Sequence, residues 1–218
     1  MLKLWHCVDA RSFRALWALE ELELDYDLHM LPFPPRVQQK DYLGENPLGT
    51  IPLLVDGATR MTESCAIAHY LACRYGQGQF TAGPQDAEFG AYLNWLHHGE
   101  ATLTFPQTLV LRYSLLEPPE RRQPQVAEDY RIWFLARLRL VGQALADGRP
   151  FLLEQGFTMA DIGVGYAILL AEALGLRDDL PPICVSWHDA LRDRPAFVRA
   201  QTRQLDAARA AGLAEKPF

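Results

Sequence analysis

The chain has 218 residues, of which 49% are hydrophobic and 22% are charged, a composition typical of a globular protein with a substantial core. Its formal net charge is −6, whereas a nucleic-acid-binding surface needs clustered Lys and Arg to displace condensed counterions. We therefore expect no nucleic acid partner.

The first part of the chain alternates strand and helix patterns. Leu2–Trp5 is typical of a short strand, and Ser12–Leu24 repeats apolar residues at helical spacing. From Tyr26 to Met30 apolar and polar residues alternate, which predicts a second strand, and a proline-rich segment ends it. The predicted order is strand, helix, strand.

A hairpin and a helix are predicted next, after a polar segment long enough for one short helix. Ile51–Val55 and Thr59–Met61 flank the pair Asp56-Gly57, which suits the tight turn of a hairpin because both turn residues need positive φ. Ser64–Tyr75 then carries apolar residues at helical spacing and stops before a glycine.

The second half of the chain shows helical patterns only. Residues 78–85 are the predicted linker between a domain of residues 1–77 and a domain of residues 86–218. Val126–Leu145 has the periodicity of an amphipathic helix. Thr158–Asp161 has the spacing of a capping box, and the apolar helix after it is expected to form the centre of the second domain.

Cysteine spacing and apolar run length exclude further classes of protein. The four cysteines show no spacing typical of a zinc site or a dithiol motif, so we expect no metal and a reducing compartment. The longest apolar run, Ile162–Ala171, is far shorter than the roughly 20 residues that span a bilayer. Early charged residues argue against a signal peptide. We therefore expect a cytoplasmic protein without a membrane partner.

Two short motifs in the first half indicate a ligand site. Pro52 stands at the start of a predicted strand, and a cis peptide bond there would expose the main chain of Ile51 to an extended peptide. Glu63 and Ser64 stand at the start of a predicted helix, where N–H groups and a hydroxyl suit a carboxylate and Glu63 suits an ammonium group. Singly, each motif is also an ordinary turn or helix cap. Together they suit a ligand such as glutathione.

The ordered set of motifs resembles the cytosolic glutathione transferase family over nearly the whole chain. The resemblance rests on Asn46–Gly57, Glu63–Ile67 and Thr158–Asp161, and Trp5–Glu21 is similar to the first strand and helix of bacterial and fungal members. It implies an α+β thioredoxin-like domain with a mixed four-stranded sheet, followed by an all-α domain that lines the site for an electrophile. It also implies a homodimer.

The resemblance assigns glutathione contacts to matching positions. Thr50, Ile51 and Pro52 are expected to bind glutathione, with a cis Pro52 peptide and with Ile51 at the cysteinyl main chain. Glu63 and Ser64 are expected to hold the γ-glutamyl end. Lys40 and Gln39 are expected to contact the glycine carboxylate of glutathione.

The chain departs from the family pattern at the residue that stabilises the glutathione thiolate. Many relatives have serine where this chain has Ala10. Three substitutes are open: the Ser12 hydroxyl, the Arg11 side chain, or main-chain N–H groups at the helix start. Of these we predict Ser12 and Arg11 as the catalytic residues, although serine also commonly caps a helix. Cys7 offers a mixed disulfide with glutathione, but it precedes the usual position of such a cysteine.

The wall of the electrophile site is expected in the first helix of the second domain. His98, Thr102 and Phe105 fall on one face at i, i+4 and i+7, and Arg112 follows nearby. Packing between helices is the more frequent use of such residues.

The predicted function is conjugation of glutathione, as co-substrate, to small electrophiles, a detoxification reaction. The thiolate is the nucleophile, so the enzyme acts by lowering the thiol pKa and by proximity. Glutathione-dependent peroxidase, dehalogenase and isomerase reactions use the same thiolate and remain alternatives. A glutathione-binding or interaction module without catalysis is a further alternative because of Ala10.

Overall fold

The computed structural model describes residues 1–216 and groups them into two compact units. The first unit is Met1–Gln79 together with the segment from Arg192 onward, and the second is Phe80–Leu191. The boundary after Gln79 falls within the residues 78–85 that the sequence marks as a linker. The end of the predicted second domain, residues 217–218, lies outside the described residues.

The first unit contains a four-stranded sheet in the order β2-β1-β3-β4. Its strands are β1 (Leu2–His6), β2 (Tyr26–Met30), β3 (Leu53–Asp56) and β4 (Thr59–Met61). β1 is parallel to β2 and antiparallel to β3, while β3 and β4 form an antiparallel hairpin. The mixed sheet and the hairpin are therefore as predicted, and the central strands β1 and β3 carry the most buried side chains.

Helices cover this sheet. Up to Tyr75 they are α1 (Phe13–Glu21), the single turn α2 (Pro35–Gln38) and α3 (Ser64–Tyr75). α1 buries an apolar face that includes Phe13, Leu16 and Trp17. It starts one residue later and ends three residues earlier than its sequence pattern predicts, because Leu22 already has cap geometry and Glu23 has positive φ.

The remaining helices lie between Phe89 and Ala210. They are α4 (Phe89–His97), α5 (Phe105–Leu111), α6 (Pro124–Ala144), α7 (Met159–Ala173), α8 (Pro182–Arg192) and α9 (Pro195–Ala210). The segments His98–Thr104 and Arg112–Leu116 are π-helical and follow α4 and α5 without a break. Pro106 has no N–H to donate, so regular α-helical bonding cannot run through this point. Within residues 1–216, no helix has the length and apolar character needed to cross a bilayer.

The centre of the second unit is α7, whose residues from Met159 to Ala171 are all buried. The predicted capping box is present at its start. The Asp161 carboxylate accepts from the N–H groups of Thr158 and Leu152, each at 2.8 Å, and the Thr158 hydroxyl accepts from the Ala160 N–H. These bonds satisfy donors that a buried helix start would otherwise leave without partners.

Candidate functional site

A tight loop joins β1 to α1 and contains the predicted catalytic position. The Ala10 N–H donates to the Cys7 carbonyl oxygen at 3.2 Å, and the Phe13 N–H donates to the Ala10 carbonyl oxygen at 2.8 Å. Asp9 has φ of 48°, in the left-handed region. The loop therefore folds back on itself and leads directly into the first turn of α1.

Ser12 lies within this loop but is completely buried. Its Oγ lies 2.7 Å from Nδ1 of His6, and it accepts from the Cys7 N–H at 3.3 Å. The hydroxyl makes no cap hydrogen bond to α1. This geometry favours neither the catalytic reading of Ser12 nor the helix-cap reading, because the hydroxyl is directed into the interior of the first unit.

Ala10 and Arg11 have different surroundings. The Ala10 side chain packs in one apolar cluster with Cys7, Tyr42 and Ile51. Arg11 is only partly buried. The structure thus brings the loop after β1 against the segment that precedes β3, and Arg11 is the cationic residue of this loop.

Cys7 is buried, and its Sγ lies 3.6 Å from the Pro32 carbonyl oxygen as a donor. Burial raises the pKa of the Cys7 thiol to about 12. A thiol with this pKa stays protonated at neutral pH and is a poor nucleophile. The environment is that of a structural cysteine and does not favour a mixed disulfide with glutathione.

The segment Thr50–Pro52 lies immediately before β3 and outside the paired residues of the sheet. The Ile51–Pro52 peptide is cis, as predicted. The Thr50 carbonyl oxygen accepts from the Tyr42 hydroxyl and from the Asn46 side-chain amide, both at 2.8 Å. Gly49 has φ of 60°, and a Cβ there would lie 2.6 Å from the Arg36 Cβ, so the turn requires glycine.

The start of α3 is joined to α1 by a buried hydrogen bond. Ser64 is 4% exposed, and its Oγ accepts from Nη1 of Arg14 at 2.9 Å. Glu63 occupies the cap position with extended backbone and an exposed side chain. A hydroxyl and a carboxylate thus stand at a helix start that favours negative charge.

Gln39 and Lys40 are both exposed. Gln39 follows the single turn α2, and Lys40 begins a 3₁₀ segment that ends at Gly44. They lie in the first unit, like the other residues predicted to contact glutathione, and are separated in sequence from the Ile51 and Ser64 segments by the turn at Gly49.

The residues predicted for the electrophile site have unlike surroundings. His98 is partly buried, packs edge-on against Trp95 with ring centroids 5.3 Å apart, and lines a cleft of about 530 Å³ with residues of α6. Thr102 is partly buried, Phe105 is 54% exposed, and exposed Arg112 pairs with Glu117 at 2.8 Å.

The helical spacing that placed three of these residues on one face assumed a regular α-helix. The π-helical segment from His98 to Thr104 has a wider turn, so positions i, i+4 and i+7 do not repeat as they would in an α-helix. The prediction that His98, Thr102 and Phe105 fall on one face of an α-helix is therefore corrected at this segment. Thr102, Phe105 and Arg112 are not among the residues that line the cleft beside His98.

Sequence patterns do not single out three buried polar residues of this region: His6, Arg14 and Gln204. The sequence contains one signal that could have identified Arg14. Arg14 follows Phe13 on the helix face that is otherwise apolar, and a charged side chain on such a face requires a buried partner. The roles of His6 and Gln204 could not be inferred, since they are 198 residues apart in sequence.

A group with metal-ligating side chains occurs elsewhere, in the second unit. Ligand-type atoms of Glu172, His188 and Asp189 lie within 4.8 Å of one another. Arg177 forms ion pairs with both carboxylates, including one to Asp189 at 2.7 Å. The guanidinium already supplies the positive charge that these carboxylates need, so the group is an ion-pair network of the structure.

Comparisons with known proteins agree with this architecture. The family model described as glutathione S-transferase, N-terminal domain, matches residues 10–74. Glutathione S-transferase 3 of Schizosaccharomyces pombe is 33% identical over 209 residues, which cover 90% of this chain and 85% of the relative.

Solved structures share the fold. The glutathione transferase URE2P6 from Phanerochaete chrysosporium, in complex with oxidized glutathione, has a TM-score of 0.80 at 24% identity and covers 94% of this chain and 96% of its own. Ure2p5 from the same organism, cocrystallized with 1-(S-glutathionyl)-2,4-dinitrobenzene, has a TM-score of 0.80 at 22% identity, with 95% and 96% covered.

The fold defines a protein with a thioredoxin-like sheet region followed by a mostly helical remainder, as the sequence predicts. The chain belongs to the glutathione S-transferase family and is a transferase.

Proposed function

We propose that this enzyme conjugates the glutathione thiolate to small, largely apolar electrophiles. One observation supports the proposal most strongly. The loop after β1, the segment before β3 and the start of α3, which the family resemblance assigns to the glutathione site, are held together in the first unit. Ala10 and Ile51 pack in one cluster, and Arg14 connects α1 to Ser64. The solved structure that was cocrystallized with 1-(S-glutathionyl)-2,4-dinitrobenzene, a glutathione conjugate of an aromatic ring, supports aromatic electrophiles as substrates.

In the proposed reaction the glutathione thiol loses its proton to solvent, and the thiolate attacks an electrophilic carbon. A carbon–sulfur bond forms, and for an aryl halide the carbon–halogen bond breaks with release of halide. A thiol of pKa near 8.5 is mostly protonated at neutral pH. Each unit by which the enzyme lowers that pKa corresponds to about 1.4 kcal/mol of preferential thiolate binding.

We assign the thiolate-stabilising role to Arg11 and to the main-chain N–H groups at the start of α1, with Ser12 in a structural role. Arg11 is cationic and partly exposed, whereas Ser12 is fully buried against His6. N–H groups at a helix start favour an anion without any side chain. This assignment accounts for a thiolate site in which Ala10 replaces the usual serine.

The remaining assignments extend the same proposal. The domain of residues 1–77 binds glutathione through Ile51, Ser64 and the other predicted residues, and the domain of residues 86–218 contacts the electrophile. A homodimer is proposed as well, and the exposed apolar side chains of Val37 and Leu48 in the first unit support an interface there. Light scattering that gives a monomer at working concentration would contradict the dimer.

The test combines binding with turnover. Calorimetry should detect glutathione binding, ultraviolet titration should show a bound thiol with a pKa below its free value, and 1-chloro-2,4-dinitrobenzene should be converted. Binding without any turnover would favour the alternative of a non-catalytic glutathione-binding module. Absence of binding would overturn the proposal.

A further inference from the structure

We propose that Gln204, in the last helix α9, is a positioning residue for the loop Cys7–Ser12, and that it holds this loop in the shape that stabilises the thiolate. The inference rests on the proposed glutathione conjugation and adds to it a residue far from the loop in sequence. Gln204 is completely buried, and both it and the loop belong to the first unit.

The Gln204 side-chain amide uses both of its polar atoms on the loop and its neighbours. Its Oε1 accepts from the Asp9 N–H at 3.0 Å and lies 2.9 Å from Nε2 of His6. Its Nε2 donates to Asp9 Oδ1 at 2.6 Å and to Gln201 Oε1 at 2.9 Å. One amide therefore binds the main chain and the side chain of the same loop residue, Asp9.

These contacts determine where the protons are. The Asp9 N–H can only donate, so the amide oxygen of Gln204 faces it and His6 must donate from Nε2. Nδ1 of a neutral His6 is then an acceptor, and Ser12 donates its single proton to it at 2.7 Å. Burial lowers the pKa of His6 to about 4, so the ring is neutral at physiological pH.

The chain of hydrogen bonds holds the loop at two points, Asp9 and Ser12. Gln204 binds Asp9, whose backbone is in the left-handed region. Through His6 it orients Ser12, which accepts from the Cys7 N–H. Ala10 and Arg11 lie between these two fixed points. Because residue 10 has no polar side chain, stabilisation of the thiolate depends on the placement of main-chain N–H groups and Arg11.

Small displacements of such donors are costly to catalysis. Oriented donors act over hydrogen-bond distances, and a misplacement of about 1 Å can reduce a rate by about 100-fold. Removing the Gln204 amide should therefore change the chemistry of the bound thiol more than it changes the affinity for the rest of glutathione, whose proposed contacts lie at Ile51 and Ser64.

Contacts other than those of Gln204 also hold α9 in place. Arg194 forms a two-pronged ion pair with Glu21 of α1, at 2.7 and 2.8 Å. Phe197 packs edge-on against Trp17 with centroids 4.9 Å apart. These contacts join the helix to α1, so Arg194, the residue at the cap position of α9, offers a control variant.

The experiment compares Gln204→Met with Arg194→Met in the full-length enzyme. Met keeps the volume of Gln and removes its hydrogen bonds. We expect Gln204→Met to raise the pKa of bound glutathione toward its free value and to lower kcat by about tenfold or more, with KM for glutathione changed by less than about threefold. Arg194→Met should lower the melting temperature and leave the bound-thiol pKa unchanged.

A conservative variant separates positioning from folding. Gln204→Glu keeps an oxygen that accepts from His6 and from the Asp9 N–H. Burial raises the pKa of the Asp9 carboxyl, so Asp9 is more easily protonated next to the introduced carboxyl group. We expect Gln204→Glu to retain a bound-thiol pKa closer to that of wild type than Gln204→Met does.

The outcomes are distinguishable. A wild-type enzyme that does not bind or turn over glutathione would overturn the proposed function and this inference with it. An active wild type, together with a Gln204→Met variant that loses thermal stability but keeps the wild-type thiol pKa and kcat, would overturn only the role of Gln204. If Gln204→Met does not fold, an unchanged thiol pKa and kcat in Asp9→Ala, which removes the oxygen that accepts from Gln204 Nε2, would also overturn that role.

Discussion

The Arg14 guanidinium donates a hydrogen bond to the Ser64 hydroxyl over 2.9 Å and so joins the first helix of the chain to the start of α3. Both side chains are buried, at 0% and 4% exposure. Because the Ser64 oxygen accepts from Arg14, the Ser64 proton is directed to another acceptor. In the proposed function that acceptor is the γ-glutamyl carboxylate of glutathione.

The first prediction concerns this pair. Arg14→Met keeps an apolar stem of similar length and removes the donor, so it should raise KM for glutathione by about tenfold and lower the free energy of unfolding by about 2 kcal/mol. Steady-state kinetics and urea unfolding measure these effects. In a double-mutant cycle with Ser64→Ala, the two effects on KM should be less than additive, because either change breaks the same bond. Strict additivity would contradict the coupling.

The second prediction separates Ser12 from Arg11. Ser12→Ala leaves Nδ1 of buried His6 without its donor, which should lower stability by about 1–3 kcal/mol and raise the pKa of bound glutathione less than the loss of Arg11 does, because Gln204 still holds Asp9. Arg11→Met should raise that pKa with little loss of stability, since Arg11 is partly exposed. Thermal unfolding and ultraviolet titration of the thiolate give the two readouts. The reverse pattern would return the catalytic role to Ser12.

The third prediction concerns pH and follows from the buried histidine. The pKa of His6 is about 4 in the folded protein and about 6.5 in the unfolded chain. Between these values the unfolded state binds more protons, so the contribution of His6 lowers stability as the pH falls from 6.5 to 4, by at most about 3 kcal/mol. The stability that His6 contributes in its neutral form is fully retained above pH 6.5.

Urea unfolding of wild type and His6→Asn over this pH range tests the sign. The variant lacks the titrating ring, so the stability advantage of wild type should shrink as the pH falls. An advantage that stays constant, or grows toward acid pH, would show that His6 does not titrate as its burial requires.

The fourth prediction concerns a close backbone contact in the second unit. A Cβ at Gly99 would lie 2.5 Å from the carbonyl carbon of Gly163 in α7, a contact that neither backbone can relieve without moving. Gly99→Ala should therefore lower the free energy of unfolding by about 2–3 kcal/mol. At Gly90 in α4, nothing lies within 4 Å of the corresponding atom, so Gly90→Ala should raise stability by about 0.5–1 kcal/mol. Thermal unfolding measures both, and equal effects would contradict this account.

Much of the fold is predictable from local pattern. The helix Ser64–Tyr75, the hairpin around Asp56-Gly57 and the capping box at Thr158 all occur where the sequence predicts them. These features depend on residues within about a helical turn of one another, so spacing and residue type are enough to recognise them. The π-helical segments were not predicted, because their wider turn gives no distinct apolar spacing in a single sequence.

The sequence by itself determined the strands, the helices and the family motifs around Pro52 and Ser64, because each follows from neighbouring residues. Only the tertiary structure decided that the Ser12 proton is donated to His6, that Cys7 is an inert buried thiol, and that Gln204 of the last helix binds the loop after the first strand. Burial and long-range hydrogen bonds depend on where the folded chain returns, and no local spacing records that.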